Sequence, residues 1–267
     1  MSQSELSQQL LELMARRFGI EAALGRTPGW LSSRLDRAAR ALLGVSQLQT
    51  QDIVAYYAAN PGELEQLAEL VRVGETRFFR DPEQWEALAA LLKARPGPKS
   101  QLSGLSAGCS TGEEAWTLAM VLAGIERRPF RVVGVDRSAV ALDQARAATY
   151  AAECRTNLPA AYTKCTELEA ESLLIRASIR ARVSFLQTDL LSAPPAGPFD
   201  VIVCKNVLIY LNHEAALRVL RALYAALAPS GVLLLARAEL AKAKALDLPV
   251  LSLAPGISVI QAPPGAE

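Results

Sequence analysis

Apolar residues in the first third of the chain recur at the spacing of amphipathic helices. Leu6, Leu10 and Met14 share one helical face, and this helix should end near Gly19. The same periodicity predicts four further helices over residues 30–43, 52–57, 63–73 and 85–94. Arg95-Pro96-Gly97-Pro98 is typical of a linker. The pattern therefore predicts a small all-helical N-terminal domain over residues 1–95.

From residue 99 onward, short apolar runs alternate with helical stretches. A first strand is predicted in the apolar run that starts at Leu102, and further strands at residues 130–135, 183–186, 199–204, 232–235 and 257–261. The predicted helices are 115–123, 138–148 and 214–227. The run 199–204 is apolar on both sides, as in a strand of a parallel sheet. This alternation predicts an α/β, Rossmann-like domain over residues 99–267.

Residues 151–182 interrupt that alternation. The segment is polar, contains no glycine and carries Leu158-Pro159. The segment could hold a short helix, followed by short strands near 173–175 and 179–183.

The most informative stretch is Leu102 to Glu114, where an apolar run breaks into small residues and then opens a helix. Gly108 and Gly112 provide a tight turn and a close backbone approach to a ligand. Glu113 and Glu114 would repel a pyrophosphate at a helix N-terminus, so they favour a ligand that carries positive charge.

A second candidate group follows the next predicted strand. Asp136 ends that strand, at the place where an acid commonly accepts hydrogen bonds from ribose hydroxyls. Ser138 is a suitable N-cap for the following helix. The alternative is an ordinary strand-turn-helix connection with a surface acid.

Composition narrows the function classes. Hydrophobic residues make up 51% and charged residues 21%, and the net charge is +1, which gives no electrostatic case for nucleic acid. No apolar run is long enough to span a membrane, and we expect a cytoplasmic protein without membrane insertion.

The four cysteines have no metal or redox spacing, so free thiols and no metal site are expected. The single histidine, His213, lies in Asn212-His213-Glu214, which is typical of an exposed helix start.

A basic stripe marks the second predicted helix. Arg34, Arg37 and Arg40 recur every third residue and share one helical face. Such a stripe is either a solvated surface or a docking surface for an acidic helix.

Several motifs together resemble one family. Arg77-Phe78-Phe79-Arg80-Asp81, the run 106–114, Gly134-Val135-Asp136 and the run 199–210 are similar in order and spacing to the CheR-type chemotaxis receptor methyltransferases. The resemblance covers nearly the whole chain. It implies the fold of a class I S-adenosylmethionine-dependent methyltransferase. S-adenosylmethionine would be the methyl donor, and S-adenosylhomocysteine would be the product. The implied reaction is esterification of glutamate side chains on the cytoplasmic helices of a chemoreceptor.

The resemblance also assigns roles to residues. The residues that it places around the cofactor are Thr76, Arg80, Gly108, Glu113, Glu114, Asp136, Asp189, Leu190, Lys205 and Asn206. Arg80 and Tyr210 are the candidate catalytic residues: Arg80 could hold the acceptor carboxylate through a bidentate pair, and Tyr210 could donate a hydrogen bond to it. The alternatives are that Arg80 pairs with Asp81 or another acid, and that Tyr210 is a half-buried aromatic residue with its hydroxyl in solvent. The stripe Arg34, Arg37 and Arg40 is the implied receptor-docking surface.

Some positions depart from the family pattern. Gly74 replaces an asparagine, Lys205 an arginine and Trp116 a tyrosine, and Arg237-Ala238-Glu239 stands in place of His-Ser-Glu. By the resemblance, residues 151–182 correspond to the family's small β-subdomain, inserted into the methyltransferase domain. Because this segment is short and contains no glycine, we predict that the protein does not depend on a C-terminal receptor pentapeptide tether.

Three alternatives remain open at this stage. One is a catalytically inactive regulator or scaffold that binds the cofactor, and another is a methyltransferase with a different signalling target. The third is a nicotinamide-dependent oxidoreductase, which the absence of G-x-G-x-x-G and the position of Glu113 and Glu114 disfavour.

Overall fold

Residues 5–18, 29–44, 49–71, 76–94, 101–125, 129–193 and 195–265 are described by the structure, which is a computed structural model. Backbone contacts divide the chain into two units. The first comprises residues 1–74 and 209–216, and the second comprises 75–208 and 217–267. The sequence had indicated a boundary at the linker after residue 95, whereas the contacts group the fifth helix with the second unit.

In the described part of residues 1–74, the first unit contains the helices α1 (Glu5–Phe18), α2 (Gly29–Leu42), α3 (Thr50–Ala59) and α4 (Pro61–Val71). Helix α1 packs on α3, and α2 packs on α4. Their apolar faces bury Leu10, Leu35 and Leu67. The Tyr57 hydroxyl donates a hydrogen bond to the Ala39 carbonyl at 3.0 Å, so this buried polar group is satisfied. The predicted helical character of this region is confirmed.

A seven-stranded sheet forms the centre of the second unit. Its strands are β1 (Leu102–Ala107), β2 (Phe130–Asp136), β6 (Val183–Gln187), β7 (Phe199–Cys204), β8 (Leu227–Leu235), β9 (Val250–Ala254) and β10 (Ile257–Gln261). They lie in the order β6-β2-β1-β7-β8-β10-β9. The first five are parallel, and β10 pairs antiparallel with both β8 and β9. The predicted α/β fold class is confirmed.

The helices of the second unit are α5 (Pro82–Ala94), α6 (Glu113–Ala123), α7 (Ala139–Ala147), α8 (Ala177–Arg180), α9 (His213–Ala225) and α10 (Leu240–Lys244). Helix α9 begins at the segment that groups with the first unit. Helix α6 packs on β1 and β2, and α7 packs on β6. Helix α5 packs on β9 and β10 and buries Trp85, Leu88 and Leu92.

A second sheet has three antiparallel strands, β3 (Thr149–Ala151), β4 (Thr166–Glu169) and β5 (Ser172–Ile175), in the order β3-β5-β4. The predicted strand at 173–175 is therefore confirmed. The strand predicted at 179–183 is wrong, because Ala177–Arg180 forms the short helix α8 and only Val183 enters β6. The burial of Ile179 explains the apolar signal there, since its side chain packs in the core from a helical turn.

Two further differences concern the end of the chain. Strand β8 starts at Leu227, so the predicted helix 214–227 ends earlier, at Ala225. The Pro229–Gly231 turn lies inside β8 as an irregularity: Phe199 pairs with Leu227, but Val201 pairs with Val232. Strand β9 was not predicted, because its residues are only partly buried and show no clear alternation.

Candidate cofactor and acceptor site

The candidate site is built at the carboxyl ends of adjacent parallel strands. Ser106, near the end of β1, is paired with Gly134 of β2 on one side and with Val203 of β7 on the other. Ligands of open α/β sheets bind at this edge, where the strand order reverses. Asp136 ends β2 and Lys205 follows β7, so the topology brings the predicted residues to one edge.

The segment of residues 107–114, called here the cofactor loop, is held close to its neighbours. The amides of Gly108 and Cys109 both donate to the Val135 carbonyl, at 2.8 and 2.9 Å. Gly108 has a φ of +81°, and a Cβ atom there would lie 2.4 Å from the side chain of Val207. Gly112 has a φ of +100°, and a Cβ atom would meet Ala145 at 2.8 Å. Both glycines are therefore required by backbone conformation and by close approach.

Asp136 is buried and ties the cofactor loop to the next helix. Its carboxylate accepts from the Ser110 amide at 2.8 Å and from the Ser138 amide at 3.0 Å. Ser138 caps α7 as predicted, with its hydroxyl accepting from the Ala141 amide at 3.1 Å. A carboxylate can accept more than two hydrogen bonds, so Asp136 is compatible with a ribose hydroxyl as well.

The two loop glutamates have different surroundings. Glu113 is buried and accepts from the Thr111 hydroxyl at 2.7 Å, and burial raises its pKa. Glu114 is half-buried and accepts from the Ser106 hydroxyl at 2.8 Å. Desolvation raises the pKa of Glu114 to about 7, against the opposing influence of Lys205 and the Ser106 hydrogen bond. A cationic ligand beside Glu114 would favour its ionised form.

Glu239 connects the ends of β7 and β8 and was not predicted as a site residue. It is fully buried, and one carboxylate oxygen accepts from the amides of Asn206 and Ala236, both at 3.1 Å. Asn206 has a φ of +59°, so Glu239 stabilises a left-handed residue. The sequence signal was an acid four residues beyond a buried strand, within Arg237-Ala238-Glu239.

Asn206 supplies an observation that tests the implied cofactor. Its side-chain oxygen Oδ1 is buried and has no hydrogen-bond partner among the described residues. A buried acceptor without a donor is costly, unless a ligand supplies the donor. An ammonium group is such a donor, and Glu114 offers the matching negative charge. The residues therefore fit the amino acid end of S-adenosylmethionine.

The remaining cofactor positions lie around the same edge. Thr76 is half-buried at the start of its described segment. Asp189 and Leu190 follow β6, and the neighbouring Thr188 amide donates to the Asp136 carbonyl at 2.9 Å. Asp189 is exposed and accepts from the Leu191 amide at 2.9 Å, whereas Leu190 is half-buried.

Residues 78–81, called here the Arg80 turn, carry the implied catalytic arginine. Lys205 is buried beside this turn, donates to the Arg80 carbonyl at 2.6 Å and pairs with Asp81 at 2.9 Å. Burial alone would raise the pKa of Asp81, but the hydrogen bond and charge of Lys205, with Arg80 and Arg77, lower it. The structure thus brings Lys205 to the Arg80 turn, a contact that the sequence did not predict.

Aromatic side chains join the Arg80 turn and the cofactor loop to the small sheet. Tyr150 of β3 donates to the Thr111 carbonyl at 2.7 Å and packs edge-on against Phe78 at 4.9 Å. Tyr162, in the 3₁₀ helix Ala160–Cys165 between β3 and β4, stacks on Phe79 at 4.7 Å. The inserted small sheet therefore supports both parts of the candidate site.

The other predicted residues lie on the surface. Tyr210 ends the 3₁₀ helix Leu208–Tyr210 after β7 and is 39% exposed. In the first unit, Arg34 and Arg37 of α2 are exposed, whereas Arg40 is half-buried and pairs with Asp36 at 3.0 Å. His213 is exposed at the start of α9, where Asn212 accepts from the Ala215 amide, as predicted.

Two of the departures from the family pattern have clear surroundings. Arg237 forms an exposed ion pair with Glu83 at 3.1 Å. Trp116 is buried and packs edge-on against Phe185 at 5.2 Å. Gly74 lies outside the described residues.

No helix in the described part of the chain is both long and apolar enough to cross a membrane.

Comparison with known families gives one match that covers most of the chain. Residues 74–254 match the family described as "CheR methyltransferase, SAM binding domain". Among named relatives, chemotaxis protein methyltransferase 2 of Pseudomonas aeruginosa is 30% identical, over 87% of this chain and 85% of the relative.

Two other relatives are longer than this chain. A 104.1 kDa protein of the hypE 3′ region of Rhodobacter capsulatus is 32% identical over 84% of this chain and 24% of its own length. The probable biofilm formation methyltransferase WspC of Pseudomonas aeruginosa is 30% identical over 85% of this chain and 55% of its own length. The chain thus spans about a quarter of the first and about half of the second.

Proposed function

Because the chain belongs to the CheR methyltransferase family and carries its S-adenosylmethionine-binding domain, we propose that it methylates a chemoreceptor-type signalling protein. The reaction transfers a methyl group to glutamate side-chain carboxylates and forms glutamyl methyl esters. The observation that supports the proposal is the set of groups at the carboxyl ends of β1, β2 and β7. Asp136, Glu114 and the Asn206 side-chain oxygen that lacks a donor lie there, and Lys205, which follows β7, contacts the Arg80 turn.

Each part of the cofactor has a complementary group in this arrangement. Asp136 would accept from the ribose hydroxyls. Glu114 and Asn206 would accept from the ammonium group, and Asp189 with Leu190 would border the adenine. Gly108 and Glu113 shape the cofactor loop, and Thr76 and Arg80 would close over the cofactor.

The chain's own residues have little acid–base work to do. S-adenosylmethionine supplies an activated methyl group on a sulfonium. A glutamate carboxylate is already ionised at neutral pH, so the protein needs to align it and exclude water. Arg80 can hold the acceptor carboxylate through a bidentate pair, and Tyr210 can donate a hydrogen bond to it.

Recognition of the receptor is proposed to use the basic stripe on α2. The exposed guanidinium groups of Arg34 and Arg37 match the acidic face of a receptor helix, and Arg40, paired with Asp36, adds less net charge. Binding through such a surface should weaken as salt increases.

The enzyme would act in the cytoplasm, where the receptor helices lie. Independence from a pentapeptide tether stays a prediction, which a titration with a receptor C-terminal peptide tests.

The proposal is tested by methyl transfer from radiolabelled S-adenosylmethionine to purified cytoplasmic fragments of chemoreceptors. Glutamyl methyl esters are cleaved by mild base, so the label should be released as methanol. A fragment with alanine at the methylation sites serves as the control acceptor. Label that resists base would indicate a different acceptor group. Cofactor binding without transfer to any fragment would identify a regulator instead of an enzyme.

A further inference from the structure

The contacts of Lys205 point to the Arg80 turn. Its side chain is 2% exposed, and its ammonium group donates to the Arg80 carbonyl and pairs with Asp81. The same ammonium lies 5.6 Å from the centre of the Trp85 ring. The Trp85 indole also donates to the Arg80 carbonyl, at 3.0 Å. One carbonyl therefore receives two side-chain donors, from a loop after β7 and from α5.

The backbone of the turn requires this support. Phe79 and Asp81 have φ angles of +49° and +57°, a left-handed conformation that is unfavourable for residues other than glycine. Such residues keep this conformation only where their surroundings hold them. The Phe79 amide is held by the Thr117 hydroxyl at 3.1 Å. Arg80 lies between the two left-handed residues, so the direction of its side chain depends on them.

From these contacts we infer that Lys205 is a positioning residue for Arg80: its ammonium group fixes the turn from which the acceptor-binding guanidinium projects. This inference rests on the proposed function, and it gives Lys205 a role other than the cofactor contact implied by the family resemblance. Lys205 also favours the ionised form of Glu114, as its effect on the pKa of that group indicates. The ammonium group of Lys205 thus acts on Glu114, which is proposed to contact the cofactor, and on Arg80, which is proposed to contact the acceptor carboxylate.

The test compares Lys205→Met, which keeps length and removes charge, with Lys205→Arg, which keeps charge. Lys205→Met should lower kcat for methyl transfer by about tenfold to 100-fold, the loss typical of a reacting group displaced by about 1 Å. Its Kd for S-adenosylhomocysteine, measured by calorimetry at pH 8.5, well above the pKa of Glu114 so that this carboxylate is ionised, should change far less. Amide hydrogen exchange in residues 78–81 should accelerate, while α6 remains protected. Lys205→Arg should restore both protection and most of kcat.

The opposite pattern would overturn the inference. A Lys205→Met protein that loses S-adenosylhomocysteine affinity, while the Arg80 turn keeps its protection and kcat holds at saturating cofactor, would make Lys205 a cofactor ligand. If Lys205→Met does not fold, Asp81→Asn removes the partly exposed partner of the same pair and should also accelerate exchange of the turn. If wild-type protein neither binds the product nor transfers methyl groups, the proposed function fails, whereas exchange still decides whether Lys205 holds the turn.

Discussion

The cofactor loop and the Arg80 turn reach well-defined conformations by different means. The conformation of the cofactor loop is fixed mainly by glycines and by backbone hydrogen bonds to the adjacent strand. The amides of Gly108 and Cys109, for example, both donate to the Val135 carbonyl. The Arg80 turn is instead fixed by side chains: Trp85, which lies five residues further along the chain, and Thr117 and Lys205, which come from distant parts of it. Changes in the loop should therefore act through the backbone, and changes around the turn through lost side-chain contacts.

The largest effect is expected from Gly108→Ala in the cofactor loop. A Cβ atom would combine a left-handed φ with a 2.4 Å approach to Val207, which should destabilise the protein by about 2–4 kcal/mol. Gly256→Ala is the matched control, because Gly256 also has a positive φ but its nearest atom would be 3.7 Å away. That control should cost about 1–2 kcal/mol. Urea unfolding measures the free energy of unfolding of both variants. Equal losses of stability would argue against a steric effect of the Val207 side chain on the new Cβ atom.

A smaller loss is expected from Thr117→Val beside the Arg80 turn. The Phe79 amide would lose its acceptor in a buried place, at a cost of about 1–3 kcal/mol. Thr117→Ser keeps the hydroxyl and should retain most of the stability. Unfolding free energies of the two variants are compared directly, and a serine variant as unstable as the valine variant would point to packing instead of the hydrogen bond.

Acidification should weaken cofactor binding through Glu114. With its pKa at about 7 in the free protein, Glu114 must lose a proton to pair with an ammonium, so binding releases a proton below that pH. Affinity for S-adenosylhomocysteine should then fall by up to about tenfold for each pH unit below 7. Calorimetry between pH 5 and 8 measures this, and Glu114→Gln should bind weakly at every pH. A wild-type affinity independent of pH would contradict the assignment.

The same group gives a pH dependence of stability. The pKa of Glu114 is higher in the folded protein than its ordinary value of 4.5, so the folded state holds a proton that the unfolded chain loses first. Its contribution to stability is present at low pH and is lost as the pH rises from about 4.5 through 7. Unfolding of Glu114→Gln should lack this part of the pH dependence.

The smallest effect is expected where the small sheet supports the cofactor loop. Tyr150→Phe removes the hydrogen bond to the Thr111 carbonyl but keeps the ring against Phe78, so the loss should be about 1 kcal/mol. Thermal unfolding measures the change. A loss of several kcal/mol would show that the small sheet holds the loop more strongly than one hydrogen bond can.

The contrast between the two regions also explains what the sequence could predict. The cofactor loop, Asp136 and the Ser138 cap are encoded by neighbouring residues, and their positions follow from strand order. The bond from Lys205 to the Arg80 carbonyl joins residues far apart in the chain, and no local pattern specifies it. Glu239 and Thr117 were missed for the same reason, since their roles depend on which backbone amides the fold brings to them.

Errors in the fold have a related origin. Ile179 gave an apolar signal in too short a run to separate a strand from a helical turn, and the turn is what the structure contains. Strand β9 escaped because an edge strand buries little of its surface and shows weak alternation. Helices α1 to α5 were predicted because each has enough turns to display its apolar face.

Calorimetric titration of S-adenosylhomocysteine into wild-type, Asp136→Ala and Asp143→Ala protein tests the central claim most directly. Asp136 anchors the candidate cofactor site, whereas Asp143 is an exposed acid on α7, paired only at the surface with Arg146. We expect binding by the wild type and by Asp143→Ala, and a loss of about 100-fold or more in Asp136→Ala, from broken charged hydrogen bonds. A wild-type protein that does not bind, or an Asp136→Ala variant that binds as well, would contradict the account.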